Sequence, residues 1–296
     1  MAQMTLMNNP ESRLSVRNLA ISCILLGSLS FAAAAQEQST PREMVRTAIQ
    51  NELQDNSQRS LLFTWKERKY RGRDTEVQRV VQTPEGVLSR VVLIDEKPLN
   101  PEQRTAEEER IRKMLDPAQL QRKRRERQED DQRTNKMLAS MPDAFDFQQL
   151  DSTQSVSGHK LTRIHFVAHP GFNPPNRESM VFTGMQGEML LDETAGRLAK
   201  IDGTLFKDVT FGWGVLGKLY KGGRFIVEQS EITPGHWDST KMVLRFEGKA
   251  LFFKTIHIDD NETSWDYKPV PPMSVEQAVD FLKSDSQSQQ NAQLRR

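Results

Sequence analysis

Gly187-Glu-Met-Leu-Leu-Asp192-Glu-Thr-Ala-Gly196-Arg-Leu-Ala-Lys-Ile201 is the stretch on which the fold turns. Two segments of strand length, 188–192 and 197–207, flank Thr194-Ala195-Gly196, which combines a hydroxyl residue with a glycine as reversals do. The same signature recurs on both sides. Turn residues at Ser157-Gly158, Gly222-Gly223, Pro234-Gly235 and Glu247-Gly248 mark off strands at 146–153, 159–168, 224–233, 241–247 and 249–258. Upstream, strands at 60–70, 75–83 and 87–94 form a meander, the last two joined by Pro84-Glu85-Gly86. In the first of these Leu61, Phe63 and Trp65 share one face, and Thr64, Lys66 and Arg68 the other, as in a half-buried antiparallel sheet.

Helices punctuate this β pattern. Thr40-Pro41-Arg42-Glu43 has the form of a capping box with proline at the first helical position. Met44, Val45, Ala48, Ile49 and Leu53 then line one face of a helix over 41–56. Residues 101–141 read as a helical insertion broken at Asp116-Pro117. Its part from Gln121 to Lys136 has no apolar residue and cannot enter a core, although Arg122 with Glu126, Arg125 with Glu129 and Arg127 with Asp131 are spaced to pair. Ser274 and Gln277 cap a last short helix carrying Val275, Ala278, Val279 and Leu282. The polar tail 284–296 is expected to be disordered.

The first 35 residues read as a cleavable secretory leader: Arg13 and Arg17, an apolar run from Leu19 to Phe31, then Ala32 to Ala35. The run is short for a bilayer span. The single cysteine, Cys23, lies inside the run and not at its end, where a lipidated cysteine belongs. Taking 35 residues from 296 leaves 261 with no cysteine, so disulfide and thiol chemistry are excluded from the mature chain. The leader also removes two arginines and one glutamate from 41 basic and 40 acidic residues, leaving 39 of each. Such a balance gives no reason to expect nucleic acid as a partner.

Motifs for chemistry fail on inspection. Gly212-Trp-Gly-Val-Leu-Gly217-Lys218 matches a phosphate-binding loop for seven positions, but the eighth is Leu219 where Ser or Thr must hold magnesium, and a strand follows where a helix is needed. The cluster Arg122-Lys-Arg-Arg-Glu-Arg127 runs straight into Glu129-Asp130-Asp131 and has no interleaved aromatic residue. His159, His165, His169, His236 and His257 show no ligand spacing, since the four residues from His165 to His169 span about 13 Å in a strand. No serine sits in a nucleophile elbow, and Asp259, Asp260 and Glu262 read as a solvated hairpin loop. No catalytic residue, metal or cofactor is expected.

Apolar residues spread over many strands carry the remaining signal. Met242, Leu244 and Phe246 share a face, as do Ile164, Phe166 and Ala168; Val91 to Ile94 and Phe252 with Ile256 and Ile258 put apolar residues on the opposite face too. This suits a plain core beneath a curved sheet first, and second a cavity for an acyl chain, which would be built from the same residues.

The order of elements, and the residues around Gly187–Ile201 in particular, resembles the periplasmic lipoprotein-carrier superfamily, the LolA-like and LolB-like proteins, over about residues 59–267. The resemblance implies a β-rich α+β fold: a curved antiparallel sheet of about eleven strands, a half-open barrel, lidded by helices. It implies a single domain over 36–283 that carries the charged insertion, a periplasmic location, a monomer, and a non-enzymatic role in holding acyl chains. The insertion is longer than the carriers require, and the lipidated cysteine of the receptor branch is missing. The expected lining is Phe63, Trp65, Ile164, Phe166, Leu244 and Phe246. The alternative is an envelope scaffold or protein-interaction module that works through the insertion; an exported enzyme is the third reading.

Overall fold

In the computed structural model, which describes residues 39–58, 61–154, 158–212, 217–250 and 254–293, antiparallel pairing builds one large sheet. The leader and Cys23 lie outside the described residues. Helix α1 (Pro41–Gln58) precedes β1 (Leu62–Arg71), β2 (Thr75–Thr83), β3 (Gly86–Ile94) and the two-residue β4 (Lys97–Pro98). Helices α2 (Pro101–Met114) and α3 (Pro117–Ala144) lead to β5 (Phe145–Gln154) and β6 (Lys160–Ala168), and a 3-10 helix (Glu178–Gly184) to β7 (Met185–Asp192) and β8 (Arg197–Leu205). Two short strands, β9 (Val209–Phe211) and β10 (Gly217–Leu219), precede β11 (Arg224–Thr233), β12 (His236–Ala250), β13 (Lys254–Val270) and α4 (Val275–Gln293). The sheet path is β4-β3-β2-β1-β13-β12-β11-β8-β7-β6-β5, eleven strands, with β10 joined to β12 and β9 at the side. The path does not close into a barrel, as expected for the half-open form.

Local chemistry starts each helix where the sequence signals it. The Glu43 carboxylate accepts from the Thr40 amide at 2.8 Å, the Asn100 and Gln103 side chains each take the other's backbone N–H, at 2.8 and 2.9 Å, and Asp116 accepts from the Ala118 amide. Ser274 and Gln277 form the same reciprocal pair at α4.

Two separate cores result. Val45, Ala48 and Ile49 of α1, Met141 and Ala144 of α3 and Phe182 pack with Phe145, Ile164, Phe166, Met189, Ile201 and Leu205 of the sheet. At the other end of the sheet Val275, Ala278, Val279 and Leu282 of α4 pack with Ile111 and Met114 of α2 on Val81 and Leu88. Each large apolar side chain so enclosed contributes about 1.5–3 kcal/mol.

Strands β4 and β5 end the sheet path, and α2–α3 is the connection between them. Leu120 packs at the α4 core, and Met137 and Leu138 at the α1 core. Those anchors stand about 26 Å apart along a straight helix. Residues 121–134 between them are exposed without exception. Of the ion pairs expected there, Arg122–Glu126 forms at 3.6 Å, whereas Glu129 turns to Arg133.

The β3 edge is sealed. Glu107, 6 % exposed, accepts the Val91 N–H at 2.8 Å, and Arg110 donates to the Ser89 carbonyl at 2.7 Å while gripping Glu107 at 2.6 and 2.7 Å. The hydrogen bonds to Glu107 raise the Arg110 pKa above its ordinary value. A strand edge that would otherwise recruit another chain is thereby occupied from within.

Three sequence expectations are corrected. Glu247-Gly248 is no turn: β12 runs through it to Ala250, and β13 continues to Val270. Gly248 is required because the Lys218 carbonyl of β10 lies 2.2 Å from where a Cβ would stand. Asp259, Asp260 and Glu262 are therefore mid-strand residues, paired with Arg245, Leu244 and Met242. The tail is helical as far as Gln293, where it continues α4 without a break.

Replacing Glu107 with Ala is expected to lower unfolding free energy by about 2–3 kcal/mol, because a buried, charge-assisted set loses its acceptor. Urea titration measures this, and an unchanged midpoint contradicts the sealing role.

Candidate functional site

Directly opposed residues in an antiparallel pair point to the same side of the sheet, so pairing register identifies each face. One row runs Ile164, Met189, Ile201, Val227, Met242, Glu262, Lys69, Glu76 across eight strands. Alternation along each strand adds Phe166, Leu244, Phe246, Trp65 and Phe63 to that face. All six side chains expected to line a ligand site therefore share one face, here called inner.

They do not share one environment. Ile164 and Phe166 are 0 % exposed, sealed beneath α1, the end of α3 and the 3-10 helix. Phe63, 2 % exposed, lies 5.9 Å from the His236 ring, and Trp65 stacks on Tyr267 at 5.6 Å. Leu244 and Phe246 are half-buried. Phe246 leans on the α1 core together with Phe225 and Val227, whereas Met242, Leu244 and Ile258 belong to neither core cluster. The helices thus leave an apolar strip, centred on β12, only partly covered.

The position of α1 sets the boundary of that strip. Arg197, almost fully buried, reaches Glu52 at 3.0 Å and Asp55 at 2.5 Å, and Asn51 donates to the Gly196 carbonyl at 2.8 Å. The β7–β8 reversal thereby fixes the C-terminal half of α1. Gln229 of β11 donates to Glu52 at 3.3 Å, so the same helix is tied to the strand bordering the strip. Gly187 lets β7 and β8 close up, since a Cβ there would stand 2.0 Å from the Asp202 carbonyl.

Beyond the strip the inner face becomes polar. Asp260 and Glu262 are followed by Glu67 and Lys69 on β1 and by Glu76 and Gln78 on β2. Lys69 bridges Glu67 at 2.9 Å and Glu262 at 3.4 Å. Sequence reading took the two β13 acids for a loop and passed over the β1 and β2 ones, and only register brings them together. Val227 and Phe225 were also missed, because Ile226 between them obscures the alternation.

Among the other candidates, Lys218 lies in strand β10 and pairs with Asp208 at 2.7 Å. The hydrogen bond from Lys218 and that from the Lys221 amide hold the Asp208 carboxyl below its usual range. Residues 213–216, including Trp213, lie outside the described residues, as does Phe252. His159 and His169 pair with Asp192 and Asp146 at 2.7 and 2.9 Å. Among the described residues no group of three or more His, Cys, Asp or Glu side chains is arranged to hold a metal ion, and no helix is long and apolar enough to cross a membrane.

No family model and no curated protein matches the chain. Among solved structures it is similar to a DUF1329 family protein from Desulfovibrio piger, with 9% identity over 78% of this chain and 95% of that one, at a TM-score of 0.24. It is also similar to MucB in complex with MucA(peri), with 9% identity over 75% of this chain and 98% of that one, at a TM-score of 0.20. Scores this low carry no argument about function.

The division of the inner face has a direct thermodynamic signature. Phe166→Ala is expected to cost about 3–5 kcal/mol, and Leu244→Ala about 1 kcal/mol. Denaturant titration of the two variants checks it, and equal losses contradict the distinction.

Proposed function

We propose that this is an exported, non-enzymatic binding protein that holds an acyl chain or similar elongated apolar ligand along the partly covered strip of the inner face. The observation that carries the reading is the half-buried state of Met242, Leu244 and Ile258 outside both cores. Apolar side chains left short of full burial gain by covering with an apolar partner, at about 25 cal/mol per Å². From Met242 to Phe246 the strip extends about 13 Å along β12, with Phe225 and Val227 on one flank and Ile258 on the other. Such a surface takes a flexible hydrocarbon chain without requiring the sealed core to open. Ile164 and Phe166 then support the floor from beneath the helices and do not touch the ligand.

A neutral monoacylglycerol is a suitable probe. Wild-type protein is expected to bind it, and Leu244→Glu to lose at least about tenfold in affinity with its melting transition retained, because a carboxylate beside an acyl chain must be desolvated without a partner. Absence of binding to wild type, or equal binding to the variant, refutes the reading.

A second reading, an envelope interaction module, draws on the all-round exposure of residues 121–134 in α3. Lys123, Arg124 and Arg125 project there with no apolar neighbour on the helix. Replacing 121–134 with an equally long Gly/Ser linker, whose root-mean-square span is about 20 Å, should leave the melting temperature within a few degrees. Unfolding of that variant would show that the charged turns serve the fold, against the interaction reading.

A further inference from the structure

We infer that the ligand is an amphiphile whose head is a zwitterion, a phosphate ester bearing an ammonium group, seated in the polar hollow beside the apolar strip. The inference rests on the acyl-chain reading above and adds the chemistry of the head. A hollow of about 450 Å³ opens over β1, β2 and β3, lined by Lys69, Arg73, Asp74, Glu76, Gln78 and Ser89. Its size is within the range of small-molecule sites. Two cations and two carboxylates face it together with an amide and a hydroxyl, and Glu67 and Glu262 adjoin it through Lys69.

Register fixes the hollow relative to the strip. Lys69 stands opposite Glu262, and Glu262 opposite Met242. Two strand spacings, about 10 Å, therefore separate the nearest cation of the hollow from the start of the strip. A tail along β12 brings its head group to β1 and β2. On the inner face between them lie Glu262, paired with Lys69, and Asp260, which stands opposite Arg71, so the head group crosses acids and bases together.

The two charge types are distributed so that both ends of a zwitterion find partners. Lys69 and Arg73 supply donors for phosphate oxygens. Asp74 and Glu76 supply acceptors for an ammonium, and Gln78 donates to Glu76 at 2.9 Å, which holds that carboxylate in place. A head of single negative charge satisfies the first pair and leaves the second facing like charge. Lys69 is itself steadied by Glu67 and Glu262, so it is positioned before a ligand arrives.

The test compares lysophosphatidylethanolamine with lysophosphatidylglycerol of identical acyl chain, by calorimetry on the whole protein, with the neutral monoacylglycerol measured alongside on wild type. The expected result is a preference of about tenfold for the ethanolamine lipid, the scale of one charge-assisted hydrogen bond. Asp74→Asn combined with Glu76→Gln should bring that lipid down to the level of the glycerol lipid. Equal affinity of wild type for the two lysolipids, or a preference that survives in the double variant, overturns the inference while binding of the monoacylglycerol keeps the acyl-chain reading. Failure of all three lipids to bind overturns both.

Discussion

An open antiparallel sheet has two edges, and in this chain they are consecutive in sequence. After β4 the polypeptide must leave one edge and start the other at β5, and helices α2 and α3 make that passage. Helix α2 turns back on the edge it has just left, and Glu107 and Arg110 satisfy the β3 backbone there. Helix α3 then travels the distance as a rod with apolar ends and a charged middle. Because the middle offers nothing to a core, it spans the gap without filling it.

The placement of the two cores divides the inner face. The α1 core closes over β5 to β8, while the α4 core packs on Val81 and Leu88, which alternation puts on the face opposite Trp65 and Val80. The inner face of the central strands is left to side chains alone. Arg197, clasped by Glu52 and Asp55, keeps α1 from sliding across it. What remains is a graded surface: enclosed core, half-covered apolar strip, then a polar region across β13, β1 and β2. An amphiphile has the same gradation, and a mixed surface of this kind suits it better than a wholly apolar or wholly polar ligand.

Much of the architecture was legible because its determinants are local. The caps at Thr40 and Ser274 are set by residues three positions apart, and the alternation of Met242, Leu244 and Phe246 survives in β12 unchanged. The misreadings share a cause, which is contact between segments remote in sequence. Gly248 imitates a turn residue, yet its reason is the Lys218 carbonyl some thirty positions earlier. Ile164 and Phe166 alternate just as Leu244 and Phe246 do; whether a helix lands on them is decided by the α1 and α3 anchors, which no strand periodicity records. The polar hollow is a more local case: Lys69, Arg73, Asp74, Glu76 and Gln78 belong to one hairpin and its turn, and Ser89 of β3 joins them through register.

The central claim is that ligand lies on the half-covered strip and leaves the sealed core shut. Methyl resonances of the intact protein, followed while a neutral monoacylglycerol is added, test it most directly. The account predicts shifts at Met242, Leu244 and Ile258, with Ile164, Met189 and Leu205 unmoved. Shifts concentrated at Ile164 and Met189, or none at any of these methyl groups, would contradict it.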